Sequence, residues 1–319
     1  EISLGLVGSE MCIRDRRNTV MQPKICVLMC TYNGEDFLQE QIDSILNQSN
    51  VEVMLNIRDD GSTDRTLSIL ESYEKKINWY QDQHLSVNKG FIKLAKEAPD
   101  TEYYAFSDQD DVWLPDKLDR AISFLKNTDN KKPAMYACGQ IVVDENLEFM
   151  FQHNMNPNRS KDDFFAKNSF SGNTIVFNRK LFELLKMANL SVDPEQVKHD
   201  RFLTRICIAC GGDVIVDTEN YIKYRQHGSN VVGVRHGFKE VIFQIKQYLF
   251  DVKFVAEFKN LLADYSENLL PHYYDVCNYA VKYRHNFFKR ILFFNKIKMI
   301  FNDKKIGFLF HLKILLGLY

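Results

Sequence analysis

Three carboxylates lie within four consecutive positions of "FSDQDDVW": Asp108, Asp110 and Asp111, which follow the apolar run "YYAF". Like charges this close repel one another and raise one another's pKa. A strand that ends on such a cluster needs a compensating positive charge, and oxygen ligands of this kind suit Mg²⁺ or Mn²⁺. The segment "IRDDGS" places a second acidic pair, Asp59 and Asp60, behind another apolar run.

The sequence around these carboxylates alternates short apolar runs with amphipathic segments, which predicts alternating strands and helices. Such alternation is typical of an α/β fold with a doubly wound, mostly parallel sheet flanked by helices. The predicted strands are 24–30, 51–62, 77–82 and 103–111, and the predicted helices are 35–48, 64–76, 89–98 and a segment from Pro115 to about Lys126.

The pattern is less regular beyond residue 133. The segments "AMYACGQIVVD" and "NTIVFN" are predicted to be strands, and residues 179–188 and 198–212 are predicted to be helices. The Gly-Gly pair at 211–212 suits the end of the second of these helices. The segment "DVIVDTENYIKYRQHGSN" returns to strand and loop, and the chain is helical and rich in aromatic residues from about 236.

Polar clusters follow three of the predicted strands. Because the carboxyl ends of parallel strands meet at one edge of an open sheet, these clusters should line one crevice. Mg²⁺ usually keeps several waters and is shared with substrate phosphates, so the crevice is predicted to hold a metal and a diphosphate. Taken alone, each acidic pair is also compatible with a turn or a helix cap. The clusters are Thr31-Tyr32-Asn33, Asp59-Asp60 and the segment 108–111.

Several other classes of protein are disfavoured. The chain contains neither GxGxxG nor GxxxxGK[ST], which argues against dinucleotide oxidoreductases and P-loop NTPases, and "DQDDVW" lacks the EF-hand pattern. Its seven cysteines show no disulfide-framework spacing, so a reducing cytosol fits best. Cys207 and Cys210 form a CxxC within an apolar helical pattern, and we interpret them as buried structural thiols.

The motifs "CTYNG", "IRDDGSTDRT" and "FSDQDDVW", in this order, resemble the nucleotide-binding half of glycosyltransferase family 2, which has the GT-A fold. Three further motifs, "SGNT", "KHDRFL" and "YRQHGSNVVG", extend the resemblance to about residues 24–235. They are similar to the rhamnosyltransferase-like branch that builds bacterial surface polysaccharides. The resemblance implies a nucleotide-sugar donor, a divalent metal and an inverting transfer reaction.

The resemblance also implies roles for individual residues on the donor side. Asp110 and Asp108 match the DxD motif and would bind Mg²⁺ or Mn²⁺, whereas the role of Asp111 stays open. Gln226 lies in the segment that closes over the diphosphate in the family. The residues expected to bind the nucleotide sugar are Thr31, Tyr32, Asn33, Asp59, Asp60, Asp108, Arg225 and His227.

On the acceptor side, Asp200 matches the family's catalytic base, which takes the proton of the acceptor hydroxyl. The resemblance also implies that His199, the residue before Asp200, belongs to the acceptor side. An alternative for Asp200 is a helix N-terminal acid favoured by the helix dipole. Gly172, Asn173 and Thr174 would shape the acceptor side, or would form a simple turn.

The function we expect is metal-dependent, inverting transfer of a sugar to a bacterial surface polysaccharide or lipid-linked acceptor. The branch resemblance favours L-rhamnose from dTDP-L-rhamnose, and another hexose from a UDP-sugar is the alternative. A sugar-1-phosphate nucleotidylyltransferase is disfavoured, because "TYNGED" stands where its Gly-rich, Arg-containing loop would follow the first strand. A non-catalytic nucleotide-sugar-binding protein is a further alternative, although it would not need to keep Asp108, Asp110 and Asp200.

The two ends of the chain differ from its middle. Residues 1–20 resemble translated adapter read-through more than a signal peptide, so we expect a non-native or disordered leader and a catalytic domain over 21–235. The remaining 236–319 should be helical. Within it, 281–319 carries nine Lys or Arg and one acid, interleaved with apolar residues.

A basic amphipathic segment of this kind is typical of membrane-surface binding. We therefore expect a cytoplasmic protein that is peripheral to the inner face of the cell membrane. A helical cap on the catalytic domain is the alternative, and nucleic-acid binding is not expected, since no recognised motif accompanies the charge. No run of 18 apolar residues occurs, so no transmembrane helix is predicted.

Overall fold

The computed structural model describes residues 22–167, 170–228, 253–282, 285–294 and 298–318. Its first half alternates strand and helix as the sequence predicts. The five consecutive residues from Ile25 to Met29 are buried, as expected for a strand covered on both faces. The elements are β1 (Lys24–Thr31), α1 (Leu38–Leu46), β2 (Glu52–Asp59), α2 (Thr66–Ser72), β3 (Asn78–Gln81), α3 (Val87–Glu97) and β4 (Tyr103–Ser107).

The second half contains five strands and four helices before residue 228. Two of these strands and one of these helices, β5, β7 and α5, were not predicted from the sequence. The elements are β5 (Val112–Trp113), α4 (Lys117–Leu125), β6 (Ala134–Val143), β7 (Phe149–His153), α5 (Lys161–Ala166), β8 (Ile175–Asn178), α6 (Arg179–Lys186), α7 (His199–Ala209) and β9 (Asp213–Arg225).

Four helices are described in the C-terminal part of the chain. They agree with the prediction of a helical region, but the predicted boundary at residue 235 lies outside the described residues, as does the leader 1–20. No helix in the described ranges is both long and apolar enough to cross a membrane. The helices are α8 (Lys253–Tyr265), α9 (Pro271–Lys282), α10 (Phe287–Phe294) and α11 (Lys304–Leu316).

The strands form one mixed sheet in the order β3-β2-β1-β4-β8-β6-β9-β5, with β7 paired to β6. The first four strands are parallel, and β6 is parallel to β9. The pairs β4–β8, β6–β8, β6–β7 and β5–β9 are antiparallel. The prediction of an α/β fold with helices flanking the sheet is confirmed, whereas a purely parallel sheet would have been wrong for the second half.

The register of the parallel strands brings the polar clusters together. Thr31 pairs with Asp59 between β1 and β2, and Met29 pairs with Ser107 between β1 and β4. The predicted strand 103–111 therefore ends at Ser107, which leaves the carboxylates of 108–111 in a loop at this edge. The fold thus places all three clusters at the carboxyl ends of adjacent strands, where ligands of open α/β sheets bind.

The C-terminal helices complete the core beside α7. Phe165 of α5 stacks with Phe258 of α8 at a ring distance of 5.6 Å, and Tyr265 lies edge-on to Phe202 of α7 at 6.1 Å. Cys207 is buried in the same apolar cluster, which supports its interpretation as a structural thiol. Helix α7 is therefore held between the sheet and α8.

Candidate active site

Asp59 is fully buried at the end of β2 and accepts hydrogen bonds on both carboxylate oxygens. Its Oδ1 accepts from the backbone N–H groups of Gly61 (3.0 Å) and Ser62 (2.9 Å). Its Oδ2 accepts from the hydroxyls of Thr31 (3.0 Å) and Ser62 (2.5 Å). Asp59 therefore fixes the turn after β2 to the end of β1, in addition to the contact with the nucleotide sugar that the resemblance implies.

Asp60 is balanced by Arg58, a fully buried arginine that sequence reasoning did not single out. The Arg58 guanidinium contacts the Asp60 carboxylate, and it also donates to the carbonyl of Gln83 (2.7 Å). The Asp60 carboxylate accepts from the N–H of Leu85 (3.4 Å). Removing either member of such a buried ion pair would leave the other charge uncompensated, which is strongly destabilising. The only sequence signal for this pair is the position of Arg58 two residues before Asp60 in "IRDD".

The loop after β1 is joined to the loop after β4 by Gln109. The side chain of Gln109 accepts from the N–H of Tyr32 (2.9 Å) and donates to its carbonyl (3.1 Å). The Tyr32 ring remains 46% exposed and lies 4.6 Å from the ring of His84. An exposed aromatic ring fixed through its backbone in this way can stack on a flat base.

Asn33 joins the same loop to the turn after β2. It adopts a positive φ of 46°, a region that asparagine tolerates better than most residues. Its N–H donates to Ser62 Oγ (2.9 Å), and its side-chain oxygen accepts from the N–H of Thr63 (2.9 Å). Two of the predicted polar clusters thus form one hydrogen-bonded surface, which the third joins through Gln109.

The loop of residues 108–111, which we call the acidic loop, carries unbalanced negative charge. Burial raises the pKa of Asp108 to about 7, and the negative charges of Asp110 and then Asp200 add to the effect. Burial likewise raises the pKa of Asp111 well above its usual value, with further contributions from Asp110 and Asp108. Because the charge of Asp200 acts on Asp108, the predicted base and the predicted metal ligand share one electrostatic environment.

Asp111 differs from its two neighbours because it is fully buried. Its Oδ2 accepts from the side-chain amide of Asn173, whose oxygen in turn accepts from Gln140 Nε2 (3.0 Å), and its Oδ1 accepts from the N–H of Arg225 (3.3 Å). The role that the sequence left open is therefore structural: Asp111 anchors the acidic loop to the loop of residues 172–174 and to the end of β9.

Arg225 lies behind the acidic loop and is almost fully buried. Its Nε donates to the carbonyl of Asp110 (2.9 Å), and its Nη atoms contact the carbonyl of Glu145 and the carboxylate of Glu40. The guanidinium also lies 4.4 Å over the ring of Phe37. These contacts hold the main chain of the acidic loop in position, and the predicted contact of Arg225 with a diphosphate stays a prediction.

His227 contacts the predicted metal ligand directly. Its Nε2 lies 2.9 Å from Asp110 Oδ2, and its ring lies 4.9 Å from that of Phe37. The fold thus brings together His227 and Asp110, two predicted site residues that are separated by more than a hundred residues in the chain.

Asp200 lies in the first turn of α7 and is partly exposed. One of its carboxylate oxygens accepts from the N–H of Arg201 (2.6 Å), and the helix dipole favours a negative charge at this position. The cap and the base are therefore compatible interpretations of the same residue, since the second carboxylate oxygen can accept a proton.

His199 precedes Asp200 and is packed between aromatic rings. It stacks on Phe91 at 4.2 Å and lies edge-on to Phe106 at 5.1 Å, and its Nδ1 lies 3.0 Å from Asn88 Oδ1. Burial lowers the pKa of His199, which favours the neutral imidazole. A Cβ at Gly172 would lie 2.6 Å from His199 Nε2, so the predicted acceptor-side residues 172 and 199 touch.

The residues of 172–174 form a buried 3-10 turn before β8. Thr174 donates its hydroxyl to the carbonyl of Ser171 (2.7 Å), and Asn173 holds Asp111 as described. These side chains point into the protein, so their contribution to the acceptor side is to support His199 and the acidic loop.

The donor set at the acidic loop fits a divalent cation shared with a substrate. Asp108 and Asp110 offer hard oxygen atoms, and the pKa of Asp108 is raised first by burial and then by the negative charges of Asp110 and Asp200, which a cation would neutralise. Within the described ranges no three His, Cys, Asp or Glu side chains converge closely enough to hold a metal by themselves. Such a site matches Mg²⁺ or Mn²⁺, which take their remaining ligands from water and phosphate.

The fold and the strand-end carboxylates together define a GT-A glycosyltransferase. The model of the family described as "Glycosyl transferase family 2" matches residues 26–185, and the chain belongs to this family. The family, the fold and the transferase activity predicted from the sequence are confirmed.

Two relatives illustrate the range of the family. The dTDP-rhamnosyl transferase RfbG of Shigella flexneri is 32% identical over 227 residues, which cover 66% of this chain and 75% of that protein. The putative teichuronic acid biosynthesis glycosyltransferase TuaG of Bacillus subtilis is 34% identical over 110 residues, which cover 34% of this chain and 44% of that protein. The match to the second relative thus spans less than half of its length.

Solved structures agree on the fold. Residues 1–349 of S. aureus TarS in complex with UDP-GlcNAc give a TM-score of 0.51 at 17% identity, and the match covers 92% of this chain and 89% of that one. The mannosyltransferase PcManGT of Pyrobaculum calidifontis, in complex with GDP-Man and Mn²⁺, gives a TM-score of 0.53 at 16% identity and covers 94% and 82%.

Proposed function

We propose that the protein transfers L-rhamnose from dTDP-L-rhamnose to a bacterial surface polysaccharide or its lipid-linked precursor, with inversion at the anomeric carbon. The observation that carries the proposal is that Asp110 and Asp200 lie near enough to Asp108 for their negative charges to add to the effect of burial on its pKa, which supports metal ligands and a base in one crevice. The 32% identity to a dTDP-rhamnosyl transferase supports the choice of sugar.

The donor side of the crevice binds and orients the nucleotide. Tyr32 offers its exposed ring to the base, and Thr31, Asn33 and Asp59 form the hydrogen-bonded floor below it. Arg225 keeps the acidic loop in place from behind. This arrangement aligns the sugar with the acceptor, which lowers the entropic part of the barrier.

The metal ligands in this proposal are Asp110 and Asp108, with His227 beside Asp110. A bound Mg²⁺ or Mn²⁺ supplies Lewis-acid stabilisation of the charge that develops on the leaving diphosphate. Asp111 stays outside this set, because both of its carboxylate oxygens accept hydrogen bonds from the protein.

The base in this proposal is Asp200. Its free carboxylate oxygen takes the proton of the acceptor hydroxyl while the oxygen of that hydroxyl attacks the anomeric carbon. A single base and one direct displacement imply inversion. Burial lowers the pKa of His199 and so makes it a weaker base, and its role in this proposal is to keep the shape of the site.

The acceptor we propose is attached to a lipid carrier at the inner face of the cell membrane, and the protein is peripheral to that face. Support comes from the basic composition of 281–319 and from the similarity to a putative teichuronic acid biosynthesis glycosyltransferase.

A donor panel tests the proposal. The protein is incubated with Mg²⁺ or Mn²⁺ and with UDP-, GDP- and dTDP-sugars, and thermal shift and nucleotide release are measured. A shift and release with dTDP-L-rhamnose are expected, and both should require the metal. A response to UDP-hexoses alone would overturn the choice of L-rhamnose and support the alternative, transfer of another hexose from a UDP-sugar. Binding without turnover towards any acceptor would support a non-catalytic protein.

A further inference from the structure

Helix α10 exposes apolar side chains over most of its surface. Phe288 is 79% exposed, Phe287 and Leu292 are also exposed, and Phe293 is the buried side chain of this helix. Single exposed apolar residues are normal on protein surfaces, but several on one short helix mark an interaction site. Eight residues of this kind would not stay helical in water by propensity alone.

The apolar surface continues beyond α10. Ile300 is 74% exposed in the segment before α11, and Phe308 is exposed on α11. The two helices contact each other, since the ring of Phe294 lies 5.1 Å from that of His311. We call the exposed set the C-terminal apolar face, and its members are Phe287, Phe288, Leu292, Ile300 and Phe308.

Positive charge surrounds this face. In the described ranges 285–294 and 298–318, the Lys and Arg residues other than the buried Lys313 are Lys289, Arg290, Lys298, Lys304 and Lys305. The acid in these ranges is Asp303, whose carboxylate caps α11 by accepting from the N–H groups of Lys305 (3.0 Å) and Ile306 (3.2 Å). Asp303 therefore caps the helix and offsets one of the five positive charges, so the face as a whole is cationic.

We infer that the C-terminal apolar face docks on an anionic lipid surface. Aromatic and aliphatic side chains flanked by lysine and arginine are the chemistry of helices that lie in the membrane interface. Anionic head groups attract each basic residue near the surface. A second copy of the chain fits less well, because two such faces would bring like charges together. The inference rests on the proposed location at the membrane, but not on the proposed transfer reaction.

The face is fixed to the catalytic domain through α5. The N–H groups of Asn302 and Asp303 donate to Asp163 (3.1 Å for each to Oδ2), and that of Ile300 donates to Asp162. Both acids lie in the first turn of α5, which belongs to the main core. Docking through this face would therefore hold the catalytic domain in a fixed orientation to the lipid, within reach of a membrane-bound acceptor.

Vesicle sedimentation tests the inference without donor or acceptor. The full chain is mixed with phosphatidylcholine vesicles, with or without phosphatidylglycerol, over a range of salt concentrations. Binding is expected with the anionic vesicles and should weaken as salt rises. The double variant Phe288→Ser/Leu292→Ser should weaken it about tenfold or more, because two exposed apolar side chains no longer enter the interface.

Control variants at exposed residues elsewhere on the protein show whether binding depends on the C-terminal apolar face. Phe149→Ser/Met150→Ser removes two exposed apolar side chains from β7 and should bind as the wild type does. Lys304→Gln/Lys305→Gln should weaken binding about fivefold for each lysine, whereas Lys75→Gln/Lys76→Gln, also at exposed lysines, should leave it unchanged.

Three results would overturn the inference: no binding to anionic vesicles, equal binding by the serine variant of α10, or equal loss in the β7 control. Light scattering tests whether a second copy of the chain occupies the face instead of lipid. A dimer that is abolished by Phe288→Ser would make the face an interface between copies. Transfer to a soluble acceptor, measured without vesicles, tests the proposed reaction separately, so either proposal can fail alone.

Discussion

Glu257 of α8 joins the C-terminal helices to the helix that carries Asp200. Its carboxylate is fully buried, accepts from Arg201 Nε (2.8 and 3.0 Å) and lies 2.7 Å from Arg201 Nη2 as an ion pair. It also contacts Arg205 and accepts from the N–H of Lys198 (3.2 Å). One side chain therefore fixes the residue before α7 and its first two turns.

Removing this carboxylate should be costly. Glu257→Ala leaves the buried guanidinium groups of Arg201 and Arg205 without the anion that balances them, which destabilises a protein by about 3–5 kcal/mol. Glu257→Gln keeps the shape and one acceptor, so it should cost about 1.5–3 kcal/mol, the contribution of hydrogen bonds to charged groups. The matched control is Glu183→Ala on α6, since Glu183 also contacts two cations but is exposed.

The assay is urea unfolding of the full chain, followed by the transfer rate at a temperature where every variant is folded. The control should lose about 0–1 kcal/mol, as exposed ion pairs do. The two Glu257 variants should retain donor binding and lose transfer rate, because the first turn of α7 shifts. A loss in Glu257→Ala no larger than in Glu183→Ala would refute the reasoning, and so would full transfer by a folded Glu257→Ala protein.

Three other predictions follow from contacts in the site. Gly172→Ala should destabilise by about 1–3 kcal/mol and slow transfer, because its Cβ meets a packed His199. Burial lowers the pKa of Lys117 to about 7 from 10.5. Burying the charged lysine therefore lowers the free energy of unfolding below pH 7, and this loss of stability fades as pH rises towards 10.5. The stability gained by Lys117→Met should therefore be largest below pH 7 and should shrink as pH rises from 7 towards 10.5. Gln109→Ala should weaken donor binding about tenfold, because it frees the backbone of Tyr32.

Each of these predictions has a direct check. Urea unfolding compares Gly172→Ala with Gly228→Ala, where a Cβ meets nothing within 4 Å, and equal losses would contradict the contact with His199. Urea unfolding across pH compares Lys117→Met with wild type, and a gain independent of pH would contradict the lowered pKa. Titration with nucleotide measures Gln109→Ala, and unchanged affinity would contradict the role of the loop.

The parallel half of the fold was predictable from sequence because its signals are local. Alternating apolar runs and amphipathic segments define β1 to β4 and α1 to α3, and the turn residues after the strands mark the edge where ligands bind. The position of Asp108, Asp110 and Asp59 at one edge follows from strand parallelism alone. Strand β5, with two residues, and β7, with exposed side chains, have no such pattern.

The partners of these residues were not predictable, because no local pattern specifies a contact between distant segments. Arg225 contacts Glu40 across 185 positions, and Asn173 contacts Asp111 across 62. The pairing of Arg58 with Asp60 and the cluster around Glu257 likewise depend on how elements pack. The sequence thus identified the acidic residues at the edge of the sheet, whereas the contacts that hold their loops follow only from the packing.

The most direct test of the account is a single-turnover comparison of wild type and Asp200→Asn with dTDP-L-rhamnose, Mg²⁺ or Mn²⁺ and a glycan acceptor. Donor binding should be unchanged, since the amide keeps the shape of the side chain away from the nucleotide. Transfer should fall by about a hundredfold or more, because the acceptor hydroxyl loses its base, and the wild-type product should be inverted. Near-normal transfer by Asp200→Asn, or a product with retained configuration, would contradict the assignment of Asp200 and the mechanism built on it.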